Sequence, residues 1–350
     1  MPGAQVLQPV AVELHGCLAT WRSLLMLALF GVGCPRGRVT LAPVLRVPAE
    51  RKVSNRGNAD RRTALTATGE RRVEARGGSR LDVRALVVFF ALAYGLSWSW
   101  LIPLAAAHQV VRRGEGWPTH YPAVFGPAIA AVVVTAWTMG RPGVGDLLAR
   151  MARWRVAVRW WLWAVSPAAF LGLALIVMVV AGKALPGVAE FGQFSGTPAV
   201  GLVGVLLLLF VGALGEETGW RGYALPQLQR RFSPLASSLI LAVLWFGWHL
   251  PQFFVIASYR GNGPFQYVGF FLGLTCGAVI LTWLYNRSGG SILLVAIWHG
   301  LYNLVSGTQA GATGIIAAVV TTLIMIQAVV LIVLELRARR RGRPSVLGPA

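Results

Sequence analysis

Charge is the first thing this chain lacks: 13% of its 350 residues are Asp, Glu, Lys or Arg, about half of the ~25% that a soluble domain carries. Lysine is nearly absent, with Lys52 and Lys183 the two that occur, so the formal net charge of +20 is almost entirely arginine. Beyond position 84 there are only six acidic residues. The three cysteines, Cys17, Cys34 and Cys276, are scattered and form no CxxC pair, which excludes a disulfide framework and a cysteine-rich zinc site. No HExxH occurs either, nor a suggestion of a Ser-His-Asp or Cys-His set. What fills the space is apolar: 56% of the residues are hydrophobic, in long runs for which the bilayer is the natural solvent.

A net charge this basic first suggests nucleic acid. The arginines, however, sit in an N-terminal tail, in loops between apolar runs and at the C-terminus, and no basic stripe on a soluble domain is present, so no nucleic-acid partner is expected. Residues 1–84 hold 14 basic and 6 acidic residues and read as a basic, disordered tail. Within it Leu24 to Cys34 has the length of a signal-peptide core rather than of a span. Eight apolar runs follow, at about 85–107, 122–139, 160–182, 199–225, 235–256, 267–285, 291–306 and 311–335, against the ~20 residues a spanning helix needs. The expected fold is all-α: a polytopic transmembrane helix bundle of about eight spans over 85–336, ending in a basic tail at 337–350.

An even number of spans puts both termini on one side. The loops on that side hold 14 basic residues and the opposite loops 4, namely Arg112, Arg113, Lys183 and Arg260. The positive-inside tendency therefore places both termini in the cytoplasm. The Gly, Ala, Val, Leu and Arg bias suggests a high-GC bacterium, and so a bacterial plasma membrane. Trp154, Trp160 and Trp161, beside Arg153, Arg155 and Arg159, read as an interfacial belt. The stretch Arg337 to Arg343 reads as an anchor to anionic lipid. His108 and His120 fall in an outer loop and join no constellation.

Against this background the adjacent Glu216 and Glu217, directly after the apolar run that ends at Gly215, stand out. A charge in hydrocarbon costs ~2.5–3.5 kcal/mol on insertion scales, so an acid pair must be compensated, share a proton or face a cavity. Arg221 is four residues after Glu217, where helical side chains meet, and can neutralise it. Glu216 lies ~100° around the helix and is left free to act as a base. A plain interfacial Glu-Arg pair closing the helix before Pro226 explains these three residues equally well. His249 and His299, each inside a further apolar run, shift the balance toward a site, and Asn303 shares a helical face with His299. Counted from the nearest cytoplasmic turns, Glu216 and His299 lie ~15 and ~13 Å deep, but His249 ~22 Å, so its helix must tilt or start late. The resulting pocket is expected below the cytoplasmic surface.

Glu-Glu-x-x-x-Arg, then aromatic-x-x-x-His, then His-x-x-x-Asn on three apolar helices resembles the CPBP intramembrane protease family, which includes CAAX-prenyl proteases and bacteriocin-processing, Abi-like proteins. The resemblance covers about residues 200 to 305. It implies an intramembrane endopeptidase acting on a membrane-associated protein or peptide, with Glu216, Glu217, Arg221, His249, His299 and Asn303 as its site residues. In that reading Glu216, assisted by His249, activates a water, His299 and Asn303 hold the oxyanion, and Glu217 with Arg221 keeps the geometry. One departure is visible: the family usually has Phe four residues before the second-motif His, where this chain has Trp245. Family names also invoke a metalloprotease, and Glu216, His249 and His299 form a set that zinc accepts. The rival classes are a proton-coupled transporter, since intramembrane Glu and His also build proton relays, and a non-catalytic scaffold whose polar residues lock helices together.

Overall fold

The computed structural model describes residues 81–349; the basic tail, its signal-like segment, Cys17 and Cys34 fall outside the described residues, apart from the tail's last four positions. Chain order begins with α1 (Val83–Ala106), a short 3-10 turn at Tyr121–Phe125, α2 (Gly126–Met151), α3 (Val158–Ala164) and α4 (Ser166–Val180). It continues with α5 (Val188–Phe191), α6 (Gly201–Gly219), a π-helical turn at Trp220–Ala224, α7 (Leu225–Gln229) and α8 (Pro234–His249). The last elements are α9 (Gln252–Val255), α10 (Pro264–Arg287), α11 (Ile292–Gly307) and α12 (Gly314–Arg340). The described residues contain helices and two isolated β-bridges and no strand.

Each expected apolar run is helical. Among the described residues six helical stretches are long and apolar enough to cross a membrane, and α3 with α4 would make a seventh span bent by 53°. The remaining run is α11, whose 16 residues reach ~24 Å. Polar caps mark the starts: Asp82, Ser233 and Ser291 accept hydrogen bonds from Ala85, Ala236 and Leu294 amides, satisfying donors that a helix leaves free. Pro234 and Pro264 occupy first-turn positions, where a missing N–H costs nothing. Pro251 ends α8 by the same property used in reverse.

The bundle turns soluble-protein packing inside out. Val203, Leu207 and Val211 on α6, and Ile326, Val329 and Val330 on α12, point outward, while Glu217, Arg221, Ser237 and Thr282 are fully buried. Apolar exteriors are what a lipid solvent permits, and the polar residues gather where helices meet. α6 lies at the centre, packed against α2 and α11. Small residues allow that closeness: a Cβ on Gly300 would come 3.2 Å from the Phe210 Cα, and one on Gly219 would collide with Pro127.

The two ends of the bundle differ. At one, Arg150 donates to the Gly222 carbonyl and to the Tyr285 hydroxyl at 2.8 and 2.7 Å, Arg153 to the Gly289 carbonyl at 2.8 Å, and Arg287 to the Ser345 and Val346 carbonyls. This end gathers the arginine-rich segments, including the C-terminal residues. The region 337–350 is thus no free tail: α12 runs to Arg340, and Asn286 Nδ2 holds the Leu347 carbonyl at 2.7 Å. At the other end Val111 exchanges backbone hydrogen bonds with Val255 and Ala257, the Gly196 amide donates to the Arg112 carbonyl, and the Gln309 amide to the Gln193 carbonyl.

Candidate active site

Three separate helices bring the motifs together. Glu216 comes from the end of α6, His249 from the last residue of α8, and His299 and Asn303 from one face of α11. All four line one cavity of about 380 Å³. α8 starts at Pro234 and ends at His249, just before the break at Pro251, and the imidazole at its end lines the same cavity as the acid. Gln252, just past the break, lines the cavity as well.

Glu217 and Arg221 are not in the cavity wall but directly behind it, both with fully buried side chains. Arg221 Nη1 donates to Glu217 Oε1 at 2.9 Å, and His299 Nδ1 lies 2.9 Å from the same oxygen. A carboxylate only accepts, so the imidazole donates through Nδ1. This leaves Nε2 facing the cavity, a donor there only when the ring is protonated. The π-helical turn that follows α6 carries Arg221, and such turns are a recurrent device at functional sites, since the extra residue re-aims the side chains that follow.

Trp245 ties the cluster together. Its indole N–H donates to Glu216 Oε2 at 2.9 Å, its backbone carbonyl lies 2.8 Å from His249 Nδ1, and the Arg221 guanidinium stacks 4.5 Å from its ring centroid. The His299 ring meets it edge-on at 5.4 Å. The carbonyl can only accept, so His249 Nδ1 also carries the proton and His249 Nε2 presents a lone pair. A Phe at this position would stack in the same way but could make no hydrogen bond to Glu216. The departure from the family motif is therefore chemical as well as steric.

Sequence reading passed over several cavity residues. Arg113, His120, Ser195, Tyr259 and Asn262, all from the loops of the less basic end, share the cavity with Glu216. The cavity consequently opens toward the end opposite the arginine-rich one. Burial pulls His120 down to about 4 and pushes Tyr259 up to about 12, so both are neutral near pH 7. No local motif could have flagged them, because they reach the site through backbone pairing of loops far apart in the chain.

Among the described residues, no group of three or more His, Cys, Asp or Glu side chains is placed to hold a metal ion. Glu216, His249 and His299 share a cavity without forming a ligand set for zinc.

Residues 198–305 match the family model for the type II CAAX prenyl endopeptidase Rce1-like proteins. This part of the chain is thus similar to CAAX-type members of the CPBP family. It also aligns at 35% identity over 147 residues with CAAX prenyl protease 2 of Methanococcus maripaludis, covering 39% of this chain and 54% of that protein. The chain thus matches about half the length of that relative. The matched segment contains all three motifs and everything from α6 to the last turn of α11; α1 to α5 and α12 lie outside it.

Proposed function

We propose that the chain is an intramembrane endopeptidase that hydrolyses a peptide bond with a glutamate-activated water, in CAAX-type processing of a membrane-associated protein or peptide. The reading is carried by the convergence of Glu216, His249, His299 and Asn303, from three helices, on one cavity. Trp245 holds Oε2 of Glu216, which leaves Oε1 to take a proton from water. The His249 Nε2 lone pair accepts the water's second hydrogen and orients it. As oxygen attacks the scissile carbonyl, charge develops on the carbonyl oxygen. Asn303 donates to it, and so does His299 when protonated at Nε2. The proton held by Glu216 then passes to the leaving amine as the C–N bond breaks.

Charge balance favours this assignment of protons. Glu216 and Glu217 contribute two negative charges, and Arg221 with a protonated His299 contributes two positive ones, so a buried cluster closes at zero. Glu217 is a positioning residue here. It shares one oxygen between Arg221 and His299, fixing the imidazole's tautomer and direction as a carboxylate does behind many functional histidines.

The proposed setting is a bacterial plasma membrane with both termini cytoplasmic, on the strength of the arginine asymmetry. In that orientation the cavity receives substrate from the non-cytoplasmic side. Labelling of Glu115→Cys and Arg341→Cys with an impermeant maleimide checks this: the first is expected to react from outside the cell and the second only after lysis, and the reverse pattern would place the cavity on the cytosolic side.

The deciding experiment is cleavage of a membrane-tethered peptide library by the full chain in proteoliposomes, wild type against Glu216→Gln. The variant is expected to lose about 10²- to 10⁴-fold in rate while keeping the wild-type elution profile in detergent. Equal product patterns from both would remove the enzyme reading and leave the transporter or scaffold. Activity that survives exhaustive chelation separates a glutamate-activated water from a zinc-bound one.

A further inference from the structure

The cavity holds one charged side chain that the proposed chemistry does not use. Arg113 lines the cavity with Glu216, and among the described residues no carboxylate lies within ion-pair distance of it. Its neighbour Arg112 takes Glu115, the one acid in this loop. The guanidinium is held from one side only: Nε donates to the Gly307 carbonyl at 3.3 Å, which leaves both terminal nitrogens free for a ligand. The backbone beneath it is clamped on both flanks. Val111 pairs with Val255 and Ala257, Arg112 accepts from the Gly196 amide at 2.9 Å, and the Gly114 amide donates to the Phe194 carbonyl at 3.3 Å. A cation on a long side chain is thus fixed at a defined place in a half-enclosed cavity, beside the neutral Tyr259 hydroxyl and Asn262.

We propose that Arg113 is the carboxylate receptor of this cavity, pairing with an anionic group of the bound peptide. The inference rests on the endopeptidase reading and adds to it a rule for substrate choice. A guanidinium offers two parallel N–H donors that match a carboxylate, and the match gains strength away from bulk water. Position suggests which carboxylate. Gly307, where Arg113 is moored, is four residues past Asn303 and eight past His299 on α11, roughly 6 and 12 Å along the helix axis. Extended peptide covers ~3.3 Å per residue, so a carbonyl held at His299 and Asn303 lies about two to four residues from a carboxylate held at Arg113. An Asp or Glu side chain at the same distance supplies the same chemistry.

Binding separates this proposal from the proposed reaction. The probes are an apolar tripeptide with a free C-terminal carboxylate, its C-terminal amide, and the amide carrying an Asp side chain at its last position. Each is titrated into the full-length Glu216→Gln protein in proteoliposomes and into Glu216→Gln with Arg113→Met or Arg113→Lys. The free acid is expected to bind about ten- to a hundredfold tighter than the amide, Arg113→Met to collapse that ratio to near one, and Arg113→Lys to restore part of it. Recovery of affinity by the Asp-bearing amide assigns the receptor to side chains as well as termini. Equal affinity of acid and amide for the protein with Arg113 intact, or a ratio that survives Arg113→Met, overturns the proposal. A preserved binding ratio with no cleavage of any peptide by the wild type would instead overturn the endopeptidase reading.

Discussion

Two buried glutamates in this protein each have an arginine four residues on, and they do opposite things. Glu335 on α12 is fully satisfied: Arg339 donates to Oε1 at 2.9 Å, and Oε2 accepts from the Ser345 hydroxyl and the Val346 and Leu347 amides. Its arginine remains 41% exposed. The result is a latch that fastens the C-terminal residues to the arginine-rich end. Glu217 with Arg221 has the same spacing, yet both side chains are wholly buried, and Glu217 Oε2, Arg221 Nε and Arg221 Nη2 have no hydrogen-bond partner among the described residues. Buried polar groups left without partners are rare and costly. The second pair turns instead toward the cavity: Glu217 shares one oxygen between Arg221 and His299, and the Arg221 guanidinium lies over Trp245, which donates to Glu216. The spacing of an acid and an arginine thus indicates only that they meet; what else they satisfy separates a fastening from a site.

Removing the acid from each pair should widen the contrast. Glu217→Ala leaves Arg221 charged and uncompensated in the interior, a loss of about 3–5 kcal/mol expected in detergent unfolding, together with loss of cleavage. Trp245→Phe tests the link between the pair and the cavity. It keeps the aromatic wall but deletes the N–H on Glu216, with an expected fall of about ten- to a hundredfold in kcat at near-constant KM. A rise in KM alone would assign the indole to substrate binding instead. Glu335→Gln is expected to cost only about 1–2 kcal/mol, because Arg339 can turn to water, and to leave cleavage at the wild-type rate. Its signature is faster trimming of the C-terminal residues by carboxypeptidase. Were Glu335→Gln to abolish cleavage, the division into fastening and site would fail.

The smallest effect at neutral pH belongs to His120. Its folded value of about 4 lies below the ordinary 6.5, so between these values the unfolded chain binds the extra proton, and stability is expected to fall as the pH drops through that window. His120→Gln should flatten that slope in acid unfolding curves without altering the difference between the two glutamates.

Legibility followed the range of the interaction. The helices were visible because apolar runs act within a few positions of the chain, and so was the Glu217–Arg221 contact, one turn apart. The bend between α3 and α4, the π-helical turn at Trp220 and the docking of Ser345 to Leu347 were not, since each answers to neighbours far away in sequence. Among site residues, Glu216, His249 and His299 were conspicuous because polar groups in hydrocarbon are expensive and their pattern is sparse. Arg113 and Tyr259 looked like ordinary loop residues, where charge and hydroxyls cost nothing.

From sequence alone came the solvent of this protein and the identity of its out-of-place acids and imidazoles, because the free energy of moving a side chain between water and hydrocarbon depends on that side chain and its near neighbours. Only the tertiary structure decided that α8 stops where His249 can join Glu216, that Trp245 donates to the acid, and that the cavity opens at the end away from the arginines. Those outcomes depend on how helices pack and loops pair across the whole bundle, where distances between residues bear no relation to their separation along the chain.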